Sequence, residues 1–112
     1  MWEACYSLGL AFLLRRENAA AVSWLGRARD RAAGTSDPEE SIGVTLYNLA
    51  CAHAVSGAKD AALATLEELV AAGLWAQHAA WARRDEDLAS LRGDDRWKKL
   101  PEPVPEPKPE EE

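Results

Sequence analysis

Between Asp37 and Gly73 the chain reads DPEESIGVTLYNLACAHAVSGAKDAALATLEELVAAG, and its punctuation leaves few folds open. Asp37 suits an N-cap, Pro38 takes the first helical position, where a missing N–H costs nothing, and Glu40 stands three residues on from the cap. The helix opened there runs to about Ser56, where Gly57 stops it; a second runs from about Lys59 to Ala72, stopped by Gly73. Apolar residues keep helical spacing: Leu46, Leu49, Ala50, His53 and Ala54 on the first, Ala62, Leu66, Leu69 and Val70 on the second. No segment shows the two-residue alternation of a half-buried strand. Two such helices joined by a tight turn bury their apolar faces against one another and a neighbour, which predicts a helical hairpin.

The preceding segment repeats the design. Trp2 to about Arg15 forms one helix, and Asn18, as N-cap, opens another toward Ala33, with Gly34 as its C′ residue. The expected fold is all-α: hairpins over about 2–33 and 38–72, a cap over about 75–100, and a tail over 101–112. At 112 residues with 47% apolar content, the chain has room for one small domain with a modest core.

The net charge of −6 is unevenly placed. Residues 1–100 hold 12 Lys and Arg against 14 Asp and Glu, whereas the last twelve, PEPVPEPKPEEE, hold one Lys and five Glu. A near-neutral body without a basic stripe excludes nucleic-acid binding of the usual electrostatic kind. Arg15, Arg16, Arg27, Arg29 and Arg31 are interspersed with Glu17 and Asp30, the pattern of a solvated helix face. Proline and repelling glutamates predict a disordered, polyproline-like tail that solubilises the end.

The run CYSLGLAFLL has the length of a signal-peptide core, but Glu3 precedes it and Arg15 and Arg16 follow, the reverse of a targeting signal. It is also too short to span a bilayer. Cys5 and Cys51 are far apart, form no CxxC pair and sit among alanines, as free buried thiols of a reducing compartment do. A cytoplasmic protein with no membrane association is expected. A thiol redox pair between the two is the remote alternative.

Catalysis needs convergent groups, and few are offered. Cys51 and His53, two residues apart on a helix, point to different faces. His53 lies on the packing stripe as a hydrogen-bonded core histidine, and His78 is isolated from any cysteine. DEDLASLRGDD is dense in acids but lacks the alternating ligands and closing Glu of a calcium loop, while Leu88 and Leu91 keep helical spacing. No catalytic residue, cofactor or metal is expected.

Leu8, Gly9, Phe12, Ala21, Leu25 and Ala28 fall in one order, and Leu49, Ala50, His53, Ala62, Leu66 and Leu69 repeat it 41 residues later. The order resembles the tetratricopeptide repeat, in which a Leu-small pair and an aromatic on the first helix meet small and large residues on the second. Close approach is the physical reason: Gly9 is expected to face Ala21, and Ala50 to face Ala62. Four departures stand out. Arg16 takes the turn-glycine place, His53 replaces an aromatic, Leu69 replaces a small residue, and the GTSDPEES linker lengthens the spacing beyond the family's roughly 34 residues. Trp81, Asp85, Asp87, Leu88, Leu91, Arg92, Asp94, Arg96, Trp97 and Leu100 are similar in order to the closing element that follows the last repeat in many bacterial tetratricopeptide proteins. In that role Leu88, Leu91, Trp97 and Leu100 cover the last hairpin while Asp85, Glu86, Asp87, Asp94 and Asp95 face water.

The resemblance implies an α-α hairpin solenoid whose first helices line a concave groove. Carried over residue by residue, that groove comprises Tyr6, Leu10, Leu13, Tyr47, Asn48 and Cys51, with Val44 and Val55 at its edges. Leu10 and Leu13 either line it or pack against a neighbouring repeat. Of the chaperone carboxylate-clamp residues only Asn48 is matched. The implied function is a non-catalytic protein-protein interaction module, a scaffold or adaptor taking a peptide or helix. The alternative is the C-terminal regulatory or sensory part of a larger enzyme or signalling protein. The first helix is apolar almost all round, which calls for a cover and makes a homo-oligomer through it a second expectation.

Overall fold

The computed structural model describes residues 1–103, and every regular element among them is helical. The order is α1 (Trp2–Leu14), α2 (Asn18–Arg31) with a 3₁₀ turn at Ala32–Gly34, α3 (Pro38–Val55), α4 (Lys59–Ala71), α5 (Ala76–Ala82), a 3₁₀ segment at Glu86–Leu91, and α6 (Asp95–Lys98). Neighbours in sequence pack together: α1 on α2, α2 on α3, α3 on α4, with the Glu86–Leu91 segment laid on α3 and α4. None of the described helices is long and apolar enough to cross a membrane.

Helix ends are set where the sequence signals them. The Asp37 side chain accepts from the Glu40 N–H at 3.2 Å with Pro38 behind it. Gly57 and Gly73 adopt φ of 86° and 78°. Three helices close with the same pair of bonds: Glu17 N–H to Phe12 and Arg16 N–H to Leu13, Ala58 to His53 and Gly57 to Ala54, Leu74 to Leu69 and Gly73 to Val70. Each is a Schellman motif, whose C′ residue is left-handed. In the first that residue is Arg16, at φ 59°, in the place where glycine stands in the second.

The start of α2 departs from expectation. Glu17 is its N-cap, without a side-chain bond, and Asn18 is instead the first helical residue. Its Nδ2 donates to the Val55 carbonyl at 3.4 Å, tying α2 to the end of α3. Gly34 likewise ends a 3₁₀ turn rather than the α-helix.

One core runs from Leu13 to Leu100, centred on Leu25, Leu46, Leu63, Leu66, Leu69, Leu88 and Leu91. Gly9 earns its place by contact: a Cβ there would stand 2.6 Å from Leu25 Cγ, so Leu25, rather than the expected Ala21, is its near neighbour. Leu88 and Leu91 are fully buried, as expected of a covering element. Trp81, by contrast, is 57% exposed. At the start of the expected tail, the Pro101 carbonyl accepts from the Trp75 indole at 2.8 Å and Glu102 pairs with Arg83. Residues 104–112 of the expected disordered tail lie outside the described residues.

Candidate functional site

The eight expected groove residues separate into two groups. Tyr6, Leu10, Val44, Asn48 and Val55 are half-buried. Leu13, Tyr47 and Cys51 are buried, at 6%, 6% and 2% exposure. Leu13 packs into the core and keeps only an edge at the surface.

The half-buried group forms a polar-aromatic strip between α1 and α3. Asn48 Nδ2 donates to the Tyr6 hydroxyl at 3.1 Å and to the Val44 carbonyl at 2.9 Å, which fixes the amide one helical turn below Val44. Trp2 stacks on Tyr6 with ring centroids 4.9 Å apart, and its Nε1 donates to Thr45 Oγ1 at 2.8 Å. Burial and the neighbouring Glu40 push the Tyr6 hydroxyl above its ordinary range, against the opposing Asn48 bond. A groove of about 280 Å³ continues the strip, lined by Leu10, Leu13, Leu14, Arg16, Asn48 and Asp87. Its walls are leucine side chains and its rim carries one positive and one negative group, Arg16 and Asp87, 3.0 Å apart. Trp2 was not among the expected site residues; it opens α1, where its reach to Thr45 is a tertiary fact.

Behind the strip lies a buried polar cluster. Tyr47 Oη donates to Asp85 Oδ2 at 2.6 Å, the Cys51 thiol approaches the same oxygen at 3.8 Å, and Asp85 Oδ1 accepts from the Asp87 N–H at 3.0 Å. Asp85 and Asp87 were expected to face water. Both are half-buried instead, because Asp85 satisfies Tyr47 and Asp87 satisfies Arg16. On the other side of Tyr47, His78 stacks at 5.1 Å, its Nε2 close over Gly43, where a Cβ would meet it at 3.2 Å. Arg92 braces the turn by donating to the Ala82 and Asp85 carbonyls at 3.2 and 2.6 Å.

Burial, reinforced by Asp85, pushes both the Tyr47 hydroxyl and the Cys51 thiol far above their ordinary values, so both stay protonated at neutral pH. A protonated thiol is a poor nucleophile and a poor metal ligand. Cys51, Asp85 and Asp87 place one ligand atom each within 4.8 Å of one another, but Tyr47 and Arg16 already occupy the two carboxylates. Cys5 and Cys51 are both free and buried. His53 is half-buried rather than a full core residue, with burial first and Arg29 second pushing it below its ordinary value.

No protein-family model, curated protein or solved structure matches this chain.

Proposed function

We propose that the chain is a non-catalytic protein-interaction module of the tetratricopeptide type, taking a peptide along the strip between α1 and α3. The observation that carries this reading is the arrangement of Tyr6, Leu10 and Asn48. Each is partly exposed, Asn48 is fixed by two hydrogen bonds, and an apolar-walled groove with a polar rim adjoins them. An immobilised amide beside an aromatic and a leucine is suited to an extended backbone with one apolar side chain, since little entropy is lost on binding. The paired helices and the equivalent positions 41 residues apart support the repeat reading. The buried cluster around Asp85 serves as scaffold behind the strip.

The test is selection of peptides from a displayed random library on the full chain, followed by affinity measurement on Leu10→Arg and Asn48→Ala. Each substitution is expected to weaken the selected peptide by about tenfold or more with the thermal midpoint little changed. Binding indifferent to both would overturn the assignment.

A further inference from the structure

The leucine-walled groove beside Asn48 shares Arg16 and Asp87 with a second, open groove of about 510 Å³. Asn18, Val55, Glu86 and Ser90 also line the second one, so it lies where the end of α3 meets the Glu86–Leu91 segment. The two grooves join at the Arg16–Asp87 ion pair, an exposed contact that is readily exchanged. The second groove is rich in acceptors, from three independent sources. The 18-residue helix α3 ends there, and the one basic group of its last turn, His53, is held below its ordinary value by burial and by Arg29, so the negative pole of the helix is left without a cation at neutral pH. Glu86 is exposed and, among the described residues, pairs with no cation, while Asp87 has only Arg16. Asn18 spends its Nδ2 on the Val55 carbonyl, which can only accept; that fixes the amide and leaves its Oδ1 buried without a donor.

We infer that this groove takes a lysine or arginine side chain of the same peptide that lies on the strip, next to the apolar residue seated among Leu10, Leu13 and Leu14. The inference rests on the peptide reading of the strip. The incoming cation replaces Arg16 on Asp87 and reaches Glu86, and Arg16 turns out to water. One exposed ion pair is exchanged for another, so the step costs little. The length of a basic side chain suits the groove: its aliphatic stem lies along Ala54 and Val55, and its charged head meets the carboxylates. The net charge of −6 draws a basic peptide from a distance, and an acidic residue in the same place is repelled by Glu86 and by the end of α3.

The test uses the full chain and peptides selected on it from the displayed random library. Peptides that lose binding on Leu10→Arg are expected to carry a lysine or arginine beside their apolar anchor. In a synthetic copy of one, replacing that residue by glutamine is expected to weaken binding about three- to tenfold at low salt and less at high salt. Glu86→Lys is expected to weaken the basic peptide by about tenfold with helicity unchanged, to spare its glutamine version, and to favour a glutamate version. Selected peptides without a basic residue, or a basic peptide indifferent to Glu86→Lys, overturn the inference, while their loss of binding on Leu10→Arg still upholds the strip. Peptides indifferent to Leu10→Arg, or a library that yields no binder, overturn the strip and this inference together.

Discussion

The Tyr47 hydroxyl donates to Asp85 Oδ2 at 2.6 Å across 38 residues of sequence, tying the middle of α3 to the turn that opens the last 3₁₀ segment. A short O–H to carboxylate bond is stronger than a neutral one, and its loss strands a buried group. Asp85→Ala is expected to cost about 1–3 kcal/mol for the orphaned hydroxyl, and it also removes the cap on the Asp87 N–H. In a double-mutant cycle with Tyr47→Phe, measured by urea unfolding, the coupling is expected to reach about 1 kcal/mol. Additive single effects would contradict the bond's role.

The same cluster fixes the alkaline limit of stability. The ordinary values are 9.0 for the thiol and 10.0 for the phenol, and the fold pushes both upward. Above about pH 9 the unfolded chain therefore releases protons that the folded chain keeps, and stability falls by up to about 1.4 kcal/mol per pH unit for each group. Cys51→Ala with Tyr47→Phe should flatten that limb of a urea-midpoint profile. On the acid side, burial holds His53 and His78 below 6.5, Arg29 adding to the effect at His53 and Glu40 opposing it at His78. Stability contributed by keeping them neutral is present above 6.5 and is lost as pH falls through their lowered values.

Two glycines in helices should respond in opposite directions. Gly9→Ala inserts a Cβ 2.6 Å from Leu25 Cγ and 3.2 Å from the Leu25 backbone nitrogen. The strain, about 1–3 kcal/mol, outweighs the helix-propensity gain of about 1 kcal/mol. Gly26→Ala, within α2, meets nothing within 4 Å and should stabilise by about 0.5–1 kcal/mol. Thermal midpoints of the two variants decide the matter: equal shifts would mean that the α1–α2 approach at Gly9 is not tight.

Arg16 stands left-handed at φ 59°, and Gly57, which closes α3 with the same pair of bonds, at φ 86°. Arg16→Gly relieves about 1 kcal/mol of backbone strain and loses an ion pair with Asp87 worth less, since the arginine is 62% exposed. The expected outcome is a small net stabilisation. A loss above about 1 kcal/mol would show that the pair matters more than its exposure allows.

Much of the architecture was legible because it rests on local signals. Asp37-Pro38-Glu40, Gly57 and Gly73 act through bonds to their own helix, so their positions in sequence are their positions in structure. Asn18 misled because its side chain finds Val55 on another helix in place of the N–H groups of its own. The site was read less well. Helical phase places Tyr47, Asn48 and Cys51 near one face of α3, yet only the segment folding back from 38 residues away decides that Tyr47 is covered while Asn48 is not. Asp85 carries the ordinary mark of a charged cap residue, and nothing local distinguishes a solvated carboxylate from one that accepts a buried hydroxyl.

The most direct test of the account is a backbone-amide shift map of the full chain titrated with a selected peptide. The largest shifts are expected to gather at Tyr6, Leu10, Val44 and Asn48, with the Tyr47 and Asp85 amides changed little. Shifts gathered on the outer faces of α2 and α4, leaving that strip undisturbed, would contradict it.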